Sequence, residues 1–68
     1  MEKWTWNFST TNFIDVYRND NCCAHFHYNE KLKVRVAWTG GQLSKDDWAH
    51  MLECVKEAKY VLKELRKV

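Results

Sequence analysis

The sequence predicts an α+β fold, a four-stranded antiparallel sheet followed by one C-terminal helix in the order ββββα. Apolar and polar residues alternate along several short segments before Gly40, which is typical of strands with one buried face. After Gly41 the apolar residues recur every three or four positions, which is typical of an amphipathic helix. A chain of 68 residues has room for one domain, which spans 1–68.

The strands are predicted from this alternation and from the turn residues between them. Asn19-Asp20-Asn21 is a strong turn signal, and Asn29-Glu30 predicts a tight hairpin. The predicted strands lie at about 3–8, 13–18, 22–28 and 31–38. Because the connections are short, the pattern favours an antiparallel meander with the helix packed across one face.

The helix is predicted over about 45–67, with Ser44 as its N-cap and Asp47 placed to complete a capping box. It carries two apolar stripes. The first consists of Trp48, Leu52, Val55 and Leu62, and the second of Met51, Cys54, Ala58, Val61, Leu65 and Val68. One sheet can bury one stripe, so we expect the second stripe to pack against the same helix of a second subunit in an obligate homodimer.

The alternation also assigns each strand residue to one face of the sheet. The inward set is Trp4, Trp6, Phe8, Ile14, Val16, Ala24, Phe26, Leu32, Val34, Val36 and Trp38. The outward set is Lys3, Thr5, Asn7, Phe13, Asp15, Tyr17, Cys23, His25, His27, Lys33, Arg35 and Ala37. The inward set is apolar, whereas the outward set is mainly polar and basic.

The outward face is the predicted functional surface. A single-strand binder needs cations that follow the phosphates and aromatic rings that stack on bases, and this face offers both. The predicted nucleic-acid-binding residues are Lys3, Phe13, Tyr17, His25, His27, Lys33 and Arg35. The alternative is an ordinary solvated sheet face that has two exposed aromatic residues and no binding function.

The composition of the chain limits its possible functions and its localisation. The formal net charge is only +2, so attraction to a polyanion depends on where the charges lie rather than on their sum. Three cysteines, two of them adjacent, do not form a secreted disulfide framework. No apolar run is long enough to span a membrane and no signal peptide is evident, so we expect a cytoplasmic protein with no membrane partner.

Neither a metal site nor catalysis is expected. Cys23, His25 and His27 share one predicted strand face, but alternate residues on a strand are roughly 6.5–7 Å apart, too far to converge on one ion. His50 and Cys54, at i, i+4 on the helix, could also chelate, but the usual paired Cys-x-x-Cys spacing is absent. Because no nucleophile elbow, phosphate loop or acid pair accompanies the Cys and His residues, we expect a non-enzymatic protein without cofactors.

The segment Gly41-Gln42-Leu43-Ser44-Lys45-Asp46-Asp47-Trp48-Ala49-His50-Met51-Leu52 resembles the signature of the positive cofactor four family, a group of transcriptional coactivators. Ala58, Leu62 and Leu65 fall where similar apolar residues occur in that family. The resemblance covers about two thirds of the chain, and its specific element is Leu-Ser-x-Asp-Asp-Trp. It implies a ββββα domain that dimerises through its helix and binds single-stranded DNA on basic and aromatic sheet residues.

This chain departs from the family in carrying fewer basic residues and in placing Asp15 on the proposed binding face. The leading hypothesis is a homodimeric single-stranded DNA- or RNA-binding protein with little sequence specificity. The alternative is a small phage- or mobile-element-encoded inhibitor, similar in kind to an anti-CRISPR protein, that binds a host protein or nucleic-acid complex. Exposed Phe13 and Tyr17 suit both hypotheses, because aromatic side chains also anchor protein interfaces.

Overall fold

The chain folds into a four-stranded antiparallel sheet with one helix on one of its faces, which confirms the predicted ββββα class. A computed structural model describes residues 2–9 and 12–67. The strands are β1 (Trp4–Ser9), β2 (Phe13–Arg18), β3 (Asn21–Tyr28) and β4 (Val34–Thr39), and the helix is α1 (Lys45–Arg66). The sheet is a meander in the order β1-β2-β3-β4. No helix within the described residues is long and apolar enough to cross a membrane.

Turn chemistry sets the lengths of the strands. Asn19 and Asp20 both have positive φ, as the two-residue turn between β2 and β3 requires. The predicted two-residue turn at Asn29-Glu30 is wrong, since the loop extends through Lys33. There the Asn29 side chain accepts hydrogen bonds from the backbone N–H groups of Lys31 and Lys33, and Leu32 has a positive φ of 60°. β4 therefore begins three residues later than predicted, at Val34.

A capping box fixes the start of α1. The backbone N–H of Asp47 donates to Ser44 Oγ at 3.1 Å, and the Ser44 N–H donates to Asp47 Oδ2 at 3.0 Å. Arg18, from the end of β2, reaches the Asp47 carboxylate at 3.2 Å. These contacts satisfy backbone donors at the helix N-terminus and attach it to the sheet.

The core lies between α1 and the inner face of the sheet, and the helix packs mainly across β1 and β2. The sheet contributes Ile14, Val16, Ala24, Phe26 and Tyr28, and the helix contributes Met51, Cys54, Val55, Ala58 and Leu62. Tyr28 is an addition to the predicted inward set. The inner face of β4 stays largely uncovered, as Val36 shows with 47% exposure.

The predicted dimer seam is wrong for three of its six residues. Met51, Cys54 and Ala58 are buried against the sheet of their own chain and are not available to a second subunit. The buried band takes residues from both predicted stripes, because a helix lying flat on a sheet buries a single band about 100° wide. Val61 is half-buried, Leu65 is exposed, and Val68 lies outside the described residues. A homodimer through the helix stays a prediction.

Burial separates two neighbouring helix residues of similar size. We expect Met51→Ala to lower the free energy of unfolding by about 2–5 kcal/mol, because it leaves a cavity in the core. Leu52→Ala is the matched control, with an expected change within about 0.5 kcal/mol, because Leu52 is 56% exposed. Urea denaturation at several protein concentrations measures both. An equal cost for the two variants, or a cost of Met51→Ala that varies with concentration, would contradict the packing described here.

Because of the helix cap, the stability of the fold varies with pH in the acid range. The Ser44 backbone hydrogen bond, with the Ser44 hydroxyl and Arg18, holds the pKa of Asp47 below its ordinary value of 3.8. A depressed folded-state pKa stabilises the fold above the unfolded value, and this contribution disappears as pH falls through the folded pKa. Asp47→Asn is therefore expected to destabilise the chain at neutral pH. Below the folded-state pKa of Asp47, the stabilities of the variant and the wild type should converge. Urea midpoints measured across the acid range test this, and a difference that does not change with pH would contradict it.

Candidate functional site

The face of the sheet opposite the helix, called the outer face here, carries the candidate site. The strand register places Asn7, Asp15, His25 and Trp38 in one row across all four strands. A second row contains Ser9, Phe13, His27 and Arg35, and a third contains Thr5, Tyr17 and Cys22. Because the helix covers only the other face, the described part of the chain places no further layer of secondary structure above these rows.

Four rings on the outer face form a continuous aromatic cluster, defined as Phe13, His25, His27 and Trp38. The rings of His25 and Trp38 are 5.0 Å apart with a tilt of 36°. Phe13 meets both histidines edge to face, at 5.2 Å from His27 and 6.5 Å from His25. The cluster therefore spans β2, β3 and β4 and presents ring surface to solvent near the middle of the sheet.

Trp38 reaches this cluster because of a β-bulge. His25 pairs with Trp38 and Phe26 pairs with Val36, so Ala37 has no partner on β3 and the alternation shifts by one residue. The predicted inward position of Trp38 is therefore wrong. Gly40 lets the indole pack closely, since a Cβ at this position would lie 2.7 Å from the Trp38 ring. With 46% exposure, Trp38 is the largest side chain that the outer face offers to a ligand.

An acidic residue lies beneath the cluster. Asp15 is only 7% exposed, although it sits on the outer face. His25 Nδ1 lies 2.6 Å from Asp15 Oδ1. An ionised carboxylate can only accept, so Nδ1 carries the proton in this hydrogen bond. The contact orients the imidazole next to Trp38 and leaves the carboxylate largely buried.

The cations of the predicted site fall into two separate places. Lys33, Arg35 and His27 line a shallow depression at the β3–β4 end of the outer face, together with Asn29 and Val34. Lys3 lies at the other end of the sheet, where its backbone N–H donates to the side chain of Asn19 at 2.9 Å. Half-buried Tyr17, in the row that contains Cys22, is also nearer that end. The structure therefore brings together five of the seven predicted residues, namely Phe13, His25, His27, Lys33 and Arg35.

A second bulge separates the two adjacent cysteines. Tyr17 pairs with Cys22 and Val16 pairs with Ala24, so Cys23 is the extra residue. The predicted outward position of Cys23 is wrong, because its Sγ lies 3.8 Å from Met51 Sδ and 3.5 Å from the Val16 carbonyl oxygen. Cys23 therefore cannot join His25 and His27 around an ion. Within residues 2–9 and 12–67, no three His, Cys, Asp or Glu side chains are grouped to hold a metal.

Cys22, His25 and Asp15 lie close together, but their geometry does not activate the thiol. Cys22 Sγ is 3.9 Å from Nδ1 and 4.0 Å from Nε2 of His25, so the sulfur is nearly equidistant from both ring nitrogens. A histidine base would instead direct one nitrogen at the sulfur. Burial raises the pKa of the Cys22 thiol, and the Asp15 charge also raises it, which disfavours a nucleophilic thiolate.

Sequence reasoning missed Trp38 and Cys22 as members of the outer face. Both errors arise from the two bulges, which shift the alternation within a single strand. No glycine, proline or turn dipeptide marks either bulge in the sequence, since the extra residues are Cys23 and Ala37. Only the strand pairing reveals them.

Comparisons with protein-family models, curated proteins and solved structures find no match to this chain. The resemblance to the positive cofactor four family therefore stays an expectation.

The Asp15–His25 contact yields a stability prediction. His25→Ala leaves a buried carboxylate without its hydrogen-bond partner, which we expect to cost about 1–3 kcal/mol of unfolding free energy. His27→Ala is the matched control on the same strand and face, because His27 contacts Phe13 but no carboxylate. Urea denaturation at neutral pH compares the two variants. Equal losses would mean that the Asp15 carboxylate does not depend on His25.

Proposed function

We propose that this chain binds single-stranded nucleic acid on the outer face of its sheet, without catalysis. The observation that carries the proposal is the half-exposed Trp38, which continues an aromatic cluster and lies on the same strand as Arg35. Burying apolar ring surface is favourable, and an exposed tryptophan on an uncovered sheet face offers that gain to a ligand. Unpaired bases present such a surface, because their π-faces are free to stack.

The arrangement of charge supports the same partner. Lys33 and Arg35 are exposed beside the aromatic cluster, and no carboxylate among the described residues lies within 4 Å of either. The acidic residue of this face, Asp15, is buried and paired with His25. Phosphates can therefore contact Lys33 and Arg35 while bases stack on Trp38. Stacking does not read base edges, so we expect weak sequence preference and a preference for single strands over duplex.

One chain supplies all of these residues from its sheet and from the loop that precedes β4, so the proposed site does not require a second subunit. A homodimer would place two such faces on one particle and raise the avidity for a long strand. The oligomeric state thus affects the apparent affinity but not the identity of the contacts.

A protein partner is the second candidate, and the same tryptophan favours it. Trp is enriched among the residues that dominate protein interfaces, and the low net charge of +2 does not favour polyanions over proteins. An inhibitor that binds a host protein would use Trp38 and Phe13 as apolar anchors. Its affinity would depend weakly on salt, whereas nucleic-acid binding falls steeply with salt through counterion release.

Trp38→Ala is the direct test of the site. We expect it to weaken binding of a labelled single-stranded oligonucleotide by about 1–3 kcal/mol, roughly 5- to 150-fold in Kd, through lost stacking. Val36→Ala is the matched control, because Val36 is on the same strand with nearly equal exposure, 47% against 46%, but belongs to the inner face. Fluorescence anisotropy at low and moderate salt measures both, with duplex of the same sequence for comparison.

Trp38→Phe should retain part of the affinity, because a smaller ring still stacks. If Trp38→Ala and Val36→Ala bind equally well, the site is not on the outer face. If the wild type binds no oligonucleotide at low salt, the nucleic-acid proposal fails and the protein partner becomes the leading function.

A further inference from the structure

The charged residues of α1 are separated onto two flanks of the helix. Lys56, Lys59 and Lys63 are spaced i, i+3 and i+7, so they project to one side and are called the basic flank here. At about 100° per residue, they lie roughly 80–140° from the centre of the buried band. Three glutamates occupy the opposite side as the acidic flank, Glu53, Glu57 and Glu64. The low net charge of the chain conceals this separation.

Contacts with the sheet show which way each flank faces. Trp6 Nε1 on β1 donates a hydrogen bond to Glu57 Oε1 at 3.3 Å, so the acidic flank lies on the side of β1. The basic flank therefore lies on the side of β4, the opposite edge strand of the sheet. Arg35 is on that strand, and Lys33 directly precedes it. The lysines of the helix therefore face the same edge of the sheet as Lys33 and Arg35, although they lie on the other face of the sheet.

The basic flank is costly for the isolated chain. No carboxylate of the described residues lies within 4 Å of Lys56, Lys59 or Lys63. Like charges at i, i+3 and i, i+4 repel each other on a helix, as Lys56 and Lys59 do and Lys59 and Lys63 do. Of the three lysines, only Lys56 has a glutamate at such a spacing, namely Glu53. A row of unpaired lysines is therefore unfavourable for folding and favourable for holding an anion.

The surface between these lysines also offers apolar contact. Leu52 and Tyr60 are 56% and 65% exposed, and they line an open groove with Val55 and the three lysines. Lysine is depleted in protein–protein interfaces, so a groove with three lysines fits a polyanion better than an apolar protein surface. The Tyr60 ring borders the three lysines on one side and Glu53 and Glu57 on the other. Its lysine side repeats, on a second surface, the combination of aromatic ring and cations that single-strand binders use.

We propose that the basic flank is a second phosphate-binding surface, which holds the backbone of the nucleic acid beyond the segment bound by the outer face. This inference rests on the proposed function, which identifies the partner as a nucleic acid. A strand that bends around the β4 edge contacts both surfaces of one chain. The bound length is then longer than the outer face alone accommodates.

The experiment compares the wild type with Lys56→Gln/Lys59→Gln/Lys63→Gln in binding a labelled oligo-dT of about 20 nucleotides, longer than a typical single-strand site. Glutamine keeps the helix propensity and removes only the charges. The expected result is at least a tenfold loss of affinity. The slope of log K against log salt should also become shallower by about 2, since each lost phosphate contact on a single strand contributes about 0.7. Equal affinity and slope would overturn the inference.

A charge-balanced variant controls for the overall charge of the protein. Adding Glu53→Gln, Glu57→Gln and Glu64→Gln to the lysine variant restores the original net charge but not the basic flank. If the flank itself binds phosphate, affinity stays low. Full recovery of affinity would show that only the total charge matters and would overturn the inference.

The two surfaces can fail independently. Loss of binding in Trp38→Ala with no effect of the lysine variant would support the proposed function and overturn the second surface. The reverse pattern would support the basic flank and overturn the outer face as the site. Absence of oligonucleotide binding by the wild type would overturn both.

Thermal stability distinguishes a binding role of the three lysines from a purely structural role. Lys59→Glu replaces repulsion from Lys56 and Lys63 with attraction, so Tm should rise while affinity for oligo-dT falls. A lower Tm, measured by circular dichroism, would indicate that the lysines serve the fold and would count against the proposal.

Discussion

The packing of a single helix against one side of a four-stranded sheet is the constraint on which the rest of the molecule depends. Met51 and Ala58 are fully buried against Ile14 and Val16, and one buried band of α1 supplies the helical half of the core. Within residues 2–9 and 12–67 the elements are one sheet and one helix, so no second layer covers the other face of the sheet. In this part of the chain the outer face is therefore left without a covering layer.

The two β-bulges turn this open face into a candidate site. If β3 and β4 paired without the bulge at Ala37, Trp38 would lie on the inner face and the aromatic cluster would lose its largest ring. If β2 and β3 paired without a bulge, Cys23 would pair with Tyr17 and lie on the outer face. Its contact with Met51 in the core would then be lost. Bulges are common next to functional sites because they redirect a side chain without changing the topology of the sheet.

The distribution of charge follows from the same architecture. The helix lies over β1 and β2, so one of its flanks meets β1 and the other faces the direction of β3 and β4. The glutamates fall on the first flank and the lysines on the second. A nearly neutral protein thereby acquires one cationic side, and polyanion binding depends on such local fields rather than on net charge. Asp15, which the sequence places on the binding face, is buried there and hydrogen-bonded to His25.

The sequence by itself determined the class of the fold, the bounds of β2 and the start of the helix. Short-range rules govern these features: side-chain alternation, turn residues and the capping box of Ser44 and Asp47. Only the tertiary structure decided which helix residues are buried, because the sheet selects one band from two overlapping apolar stripes. That selection removed Met51, Cys54 and Ala58 from the predicted dimer seam. Strand pairing likewise decided the positions of Trp38 and Cys23, since a bulge is a relation between two strands and leaves no mark on either one alone.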